Sequence, residues 1–323
     1  MTNNIYILII AAFLDYLIGD PWDWAHPVQV MGWVISRLTK FFLHLCQNSL
    51  TQRLAGIALA IILIIGSGLV GFLMIQIARW VHPFLGIAIN TILLASCFAG
   101  KSLRVAAEAV LQPLTVGDLE KARKILSNYV GRDTQNLSQA EIYRAVLETV
   151  AENATDGVMA PLFYAIIGVF IPIVGSTPLA LAYKASSTLD SMVGYREAPY
   201  TYLGWFCARL EDYLTWLPCR LTVVTLALLS GKPMHIWQIC RRDAINDPSP
   251  NSGWSECAYA AFLGVQMGGT NWYRGVAKYK PLLGDALYAI TATSIQNALQ
   301  LTRYCYLLWL GVAIAIFLML PNR

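Results

Sequence analysis

Residues 54–78, LAGIALAIILIIGSGLVGFLMIQIA, contain no charged side chain. As a helix rising about 1.5 Å per residue this run is long enough to cross a hydrocarbon core of roughly 30 Å. The rest of the chain agrees with a lipid solvent: of 323 residues, 57% are hydrophobic and 13% charged, against roughly 25% charged in soluble domains. The expected fold is therefore all-α, a single polytopic helical membrane domain over 1–323 with re-entrant or broken helices and polar loops on one face. Residues 83–99 and 304–320 are shorter candidate spans. Residues 5–18 form a weaker one that contains Asp15; they lack a basic flank and a small-residue cleavage site, so they are not read as a signal peptide.

Basic residues orient the chain. Arg37, Lys40 and Arg53 precede the second span, only Arg79 lies between the second and third, and seven basic residues fall between Lys101 and Arg144. This places the N-terminus outside and 100–157 in the cytoplasm. Residues 158–183 are apolar but interrupted by Pro161, Pro172, Gly175 and Pro178, and 213–230 contain Pro218 and Arg220. Both segments either span or re-enter; broken helices are tolerated at membrane depth when buried in protein. Re-entry is favoured because it leaves the polar motifs on one face. Seven scattered cysteines without a C-x-x-C pair and four histidines without H-x₃-H spacing give no zinc or disulfide framework. A net charge of +4 without a basic run gives no nucleic-acid surface.

The stretch VGRDTQNLSQAEIYRAVLETVAENATDGVMAPLFYA, 130–165, is the richest in chemistry. Residues 118–130 read as an amphipathic helix ending at Gly131. Ser138 and Glu141 then form a capping box, and Glu148, Glu152 and Asp156 follow at four-residue spacing, one face of a helix if it lasts that far. A stack of like charges needs cations, whether Mg²⁺ or basic side chains; a solvated face with an Arg144–Glu148 pair is the plainer alternative. Asp15, Asp20 and His26 lie in or after the first span, Asp20 in an ordinary Asp-Pro turn. Lys184, Asp190 and Arg196 cluster in AYKASSTLDSMVGYR, and Arg209, Asp212 and Arg220 in ARLEDYLTWLPCRL. Arginines beside apolar segments are costly unless paired, and their forks suit phosphate or carboxylate. Asn251 lies in a turn-rich loop. Gly268 and Gly269 can bring backbone N–H groups to a phosphate or simply permit close packing; no Walker A motif is present.

In order, LDYLIGDP with HPVQVMG, VGRDT, ETVAENATDGVMAPLFYA, AYKASSTLDSMVGYR, ARLEDYLTWLPCRL, and SPNSGW with LGVQMGG closely resemble the adenosylcobinamide-phosphate synthases, the cobalamin-biosynthesis family called CbiB or CobD. The resemblance runs from residue 14 to about 275. Glu211, Thr215 and Cys219 depart from the family's usual Asp, Asn and Ala. What the resemblance implies is ATP-dependent amide ligation of adenosylcobyric acid to (R)-1-amino-2-propanol O-phosphate or a related amino-alcohol, with Mg²⁺. It also implies a place in the inner membrane with the site facing the cytoplasm, and association with other membrane enzymes of the pathway. Within that reaction, charge and spacing rather than the resemblance assign Glu148, Glu152 and Asp156 to the metal, and Asp190 or Asp212 to catalysis. Lys184, Arg196, Arg209, Arg220, Asn251, Gly268 and Gly269 are assigned to substrate phosphate or carboxylate. A corrinoid-binding protein or transporter without catalysis is the alternative. A CDP-alcohol phosphotransferase is rejected, because Val158-Met159-Ala160-Pro161 follows Asp156-Gly157 where that motif needs Ala-Arg.

Overall fold

The uncharged run lies inside a 33-residue helix of the computed structural model, which describes residues 2–19 and 26–319. In chain order the elements are α1 (Thr2–Leu17), α2 (Pro27–Leu45), α3 (Ser49–Val81), α4 (Pro83–Ala95), α5 (Gly100–Thr115), α6 (Leu119–Leu126), α7 (Gln139–Asn153), a π turn (Ala154–Met159), α8 (Ala160–Phe170) and α9 (Ser176–Val193). There follow α10 (Trp205–Leu229), α11 (Pro233–Asp243), a 3₁₀ turn (Ala244–Asn246), α12 (Ser252–Leu263), an antiparallel hairpin of β1 (Met267–Tyr273) and β2 (Val276–Leu283), and α13 (Ala292–Met319). Among the described residues four helical runs are long and apolar enough to cross a membrane: Ser49–Val81, Gln139–Phe170, Trp205–Leu229 and Ala292–Met319. A fifth is added if α4 and α5, bent by 41°, are one broken span. The protein is thus an all-α polytopic membrane protein carrying one small hairpin that helical periodicity did not announce. α1, with 16 residues, is shorter than these.

Where a single helical domain was expected, the chain forms two compact units interleaved in sequence. Unit 1 is Met1–Lys101, Ala160–Thr215 and Trp309–Arg323; unit 2 is Ser102–Met159 and Trp216–Leu308. In unit 1, α3 packs on α9, with Ile35, Leu59, Leu63, Leu189 and Val193 buried at its centre. Small residues let these helices approach closely, as in membrane helix pairs generally: a Cβ on Gly68 would stand 3.1 Å from the Pro178 carbonyl oxygen. Ile61, Ile65, Leu69 and Ile77 on α3 are exposed, the surface such a helix gives to lipid.

The interrupted segments resolve differently from one another. Residues 158–183 form a helix–turn–helix, α8 and α9 joined through Ile171–Gly175, rather than a single crossing. Gly175 takes a φ of +86°, and a Cβ on Gly168 would overlap the backbone of Gly175 and Ser176. Pro161 does not break α8, because the wide π turn just before it absorbs the missing donor. Nor does Pro218 end α10, which runs unbroken for 25 residues. A proline at 218 cannot donate to the carbonyl of residue 214. The Tyr164 hydroxyl donates to that Leu214 carbonyl at 2.9 Å instead, satisfying a group that lipid could not. The helix expected over 118–130 is shorter, ending at Leu126 with Ser127 as its cap, and Gly131 does not take the left-handed conformation of a helix-terminating glycine.

Replacing Tyr164 by Phe should therefore leave the Leu214 carbonyl unmet and destabilise unit 1 by about 1 kcal/mol, read as a lower unfolding midpoint in detergent. An unchanged midpoint would mean that Pro218 needs no such support.

Candidate functional site

The charged residues of unit 2 converge on α7. Its start is the expected capping box: the Ser138 amide donates to Glu141 at 2.7 Å and the Glu141 amide to the Ser138 hydroxyl at 3.3 Å. About two turns further on, Glu148 is only 2% exposed, so at that position the face is not solvated. Its carboxylate meets Arg132 at 2.6 Å and Arg144 at 3.8 Å, and accepts the Gly268 amide at 2.9 Å. Arg144 continues onto β1, donating to the carbonyls of Gly268 and Thr270 and to Asn271 Oδ1, which Arg132 also reaches at 2.8 Å. Asp133 accepts the amides of Arg274 and Gly275 in the hairpin turn at 3.0 and 2.8 Å. The VGRDT motif is thus a clasp holding the hairpin against α7.

A second charged group lies on α12. Glu256 is fully buried, and Lys280 of β2 reaches both its oxygens at 2.6 and 2.8 Å, with Asp247 at 4.0 Å. Burial pushes the Glu256 carboxyl well above its ordinary range, the Lys280 charge pulls it down, and neighbouring Glu152 and Glu148 push it up again. Burial works against the Lys280 ammonium, but Glu256, Glu152 and Asp247 outweigh it and hold Lys280 above its usual value. Glu152 itself is solvent-exposed, within electrostatic range of Lys280, Asp247, Glu148 and Arg132. Four carboxylates thus share three cations. Ser255 fixes α12 to α7, its hydroxyl bonding the Ala151 carbonyl at 2.6 Å and the Thr155 hydroxyl at 2.8 Å. Asp243 anchors the far end of β2 by accepting the Gly284 amide at 2.9 Å.

Asp156 sits in the π turn that follows α7, so the regular α-helix carrying Glu148 and Glu152 does not continue unchanged to it. Among the described residues no group of three or more His, Cys, Asp or Glu side chains is placed to hold a metal; Glu148 is occupied by arginines and an amide. A Mg²⁺ ion that arrives on phosphates needs only one or two protein carboxylates, and accessible Glu152 with half-buried Asp156 fits that smaller requirement. Gly268 and Gly269 both have positive φ at the start of β1, beside a bulge, but the Gly268 amide is bonded to Glu148. Arg220 stacks over Trp254 at 4.2 Å and donates to the Pro250 carbonyl at 2.9 Å. Asn251 is buried, its carbonyl accepting from the Cys219 thiol.

In unit 1, Asp212 is within electrostatic range of Arg209 and Arg196, both exposed, and Asp190 and Asp212 are within range of Glu211. Lys184 is half-buried on α9. Two of the positions that depart from the family pattern turn out to be structural partners: buried Glu211 accepts from the Thr215 hydroxyl, which bonds the Tyr183 hydroxyl at 2.8 Å. Asp15 is buried against Gly100, His26 caps α2 through Val28, and Asp20 lies outside the described residues. Sequence reasoning missed Arg132, Asp133, Glu256, Lys280 and Asn271. Glu256 left a trace, as the one charged residue of SGWSECAYAAFL.

The family model described as CobD/Cbib protein matches residues 8–302. A "Cobalamin biosynthesis protein CobD" from Synechocystis is 54% identical over 95% of this chain and 90% of its own length. One from Geobacter metallireducens is 41% identical over 93% of each. A "Cobalamin biosynthesis protein CbiB" from Salmonella typhi is 37% identical over 97% of this chain and 96% of its own length. No solved structure matches. The chain belongs to the CobD/CbiB family, whose members are named for cobalamin biosynthesis.

Removing one member of a buried pair strands the other. Lys280→Met should destabilise the protein by about 3–5 kcal/mol, and adding Glu256→Gln should recover most of that loss in a thermal unfolding series. Additive losses would show that the two side chains do not act as a pair.

Proposed function

We propose that the protein is an ATP-dependent amide synthase of the inner membrane, its site facing the cytoplasm, joining adenosylcobyric acid to (R)-1-amino-2-propanol O-phosphate or a related amino-alcohol. The observation that carries this reading is Glu152, an exposed residue that is the fourth acid in a group with three fixed cations. Such a place attracts a cation, and a nucleotide brings one. Family membership makes the corrinoid the natural acid partner.

A free carboxylate is a poor acyl donor. Its oxygen attacks the terminal phosphorus of ATP, the bond to the bridging oxygen breaks, and ADP leaves with that electron pair. The amine nitrogen then attacks the acyl carbon, the C–O bond to phosphate breaks, and inorganic phosphate departs as the nitrogen gives up a proton. Mg²⁺, when bound, neutralises phosphate charge during the transfer; Glu152 and Asp156 would hold it. In unit 1, taken by itself, the chemistry of Arg196, Arg209 and Lys184 suits phosphate or carboxylate groups, and that of Asp190 or Asp212 suits accepting a proton. The role of Arg220 is revised to one of support, orienting the 250–254 loop through its stack on Trp254. Gly268 and Gly269 serve the site by placing β1, with Gly269 the glycine still suited to a phosphate contact. Glu148 and Asn251 act through position.

Glu152→Gln should abolish amide formation, followed by mass spectrometry with purified protein, adenosylcobyric acid, ATP, Mg²⁺ and the amino-alcohol phosphate, while insertion and purification stay normal. Wild-type turnover in that variant would remove Glu152 from the chemistry, and turnover without ATP would remove the ligase reading.

A further inference from the structure

The hairpin has a second face that the chemistry above does not use. Its register pairs Gly269 with Lys280, Thr270 with Tyr279, Asn271 with Lys278 and Trp272 with Ala277. Paired residues of an antiparallel ladder share a face, and faces alternate along each strand. Asn271, bonded to Arg132 and Arg144, and Lys280, bonded to Glu256, define the inner face. Thr270, Trp272, Ala277 and Tyr279 make up the outer one, with Trp272 50% and Tyr279 69% exposed. These two aromatics are diagonal neighbours, close enough for large side chains to act together.

The charge on this element has one sign. Between Met267 and Leu283 it carries Arg274, Lys278 and Lys280 and no acid. Asp133 approaches the turn, but its oxygens accept the Arg274 and Gly275 amides. Arg274, at the turn, is exposed, whereas Lys278 pairs with Asn271 and so belongs to the inner face, 5.4 Å from the Tyr273 ring. Trp and Tyr beside Arg are a composition that favours the bilayer's headgroup layer, and anionic headgroups complement the Arg274 charge. A substrate engaged with Glu152 would meet the opposite face, which weighs against a substrate platform.

We propose that the outer face of the β1–β2 hairpin rests in the headgroup layer of the bilayer. Trp272 and Tyr279 enter the polar–apolar boundary, and Arg274 at the turn faces anionic phosphates. The hairpin then ties the charged cluster to the membrane surface on one side and to α7 and α12 on the other.

The test uses the full-length protein with Cys46 replaced by Ser, since the other six cysteines are buried, and a nitroxide on Ala277→Cys. It is placed in nanodiscs of phosphatidylcholine with or without phosphatidylglycerol. With the anionic lipid the label should gain accessibility to oxygen and lose accessibility to a nickel chelate several-fold, and a label at Thr270→Cys on the same face should behave alike. Adding Arg274→Ser should cancel the difference between the two lipids. Nickel accessibility equal to that of a label at exposed Gln135, in both discs and at both sites, would overturn the proposal. So would shielding that appears only when ATP or adenosylcobyric acid is added, which would make the face a substrate surface instead. Neither outcome depends on whether the protein proves to be a ligase.

Discussion

The arrangement of unit 2 depends on one interaction, the burial of the Glu148 carboxylate between Arg132, Arg144 and the Gly268 amide. A buried carboxylate without partners costs several kcal/mol, so it dictates where its partners must stand. The partners come from a loop, from the same helix and from a strand more than a hundred residues away in sequence. Meeting the needs of one charge therefore ties three parts of the chain together. Lys280 and Glu256 repeat the device between β2 and α12. A two-stranded hairpin is marginal by itself in water; here its inner face is held by ions rather than by a second apolar layer.

The same scarcity of water explains unit 1. Backbone groups inside a membrane helix need partners from protein, which is why the Tyr164 hydroxyl supports the carbonyl that Pro218 leaves unmet, and why the buried Glu211, Thr215 and Tyr183 bond one another. Rigid apolar helices and charged clusters are thus built by one rule. Polar groups are admitted where a partner is fixed, and Glu152 is distinctive as an exposed residue within an acidic surrounding.

Much of this was legible in the sequence. The uncharged run of α3, the capping box at Ser138 and the family blocks each have a local cause, and each corresponds to what the structure or the comparisons show. What escaped was non-local. Nothing near Glu148 announces that its partner amide belongs to Gly268, and nothing near Lys280 points to Glu256. The glycine pair was read for phosphate; that both take positive φ beside a bulge, and that the Gly268 amide meets Glu148, was not foreseen. The π turn was equally hidden: four-residue spacing suggested an unbroken α-helix through Asp156, and the helix widens into a π turn there. Pro218, which looks like a helix breaker, is neutralised by a tyrosine more than fifty residues earlier.

Hydrogen exchange of the Glu148→Gln variant, with the intact protein in nanodiscs, tests the central claim most directly. If the buried charge organises unit 2, the amides of β1 and β2 should lose most of their protection while those of α3 keep theirs. Hairpin amides exchanging as slowly in the variant as in the wild type would contradict the account, since another interaction would then be holding that element in place.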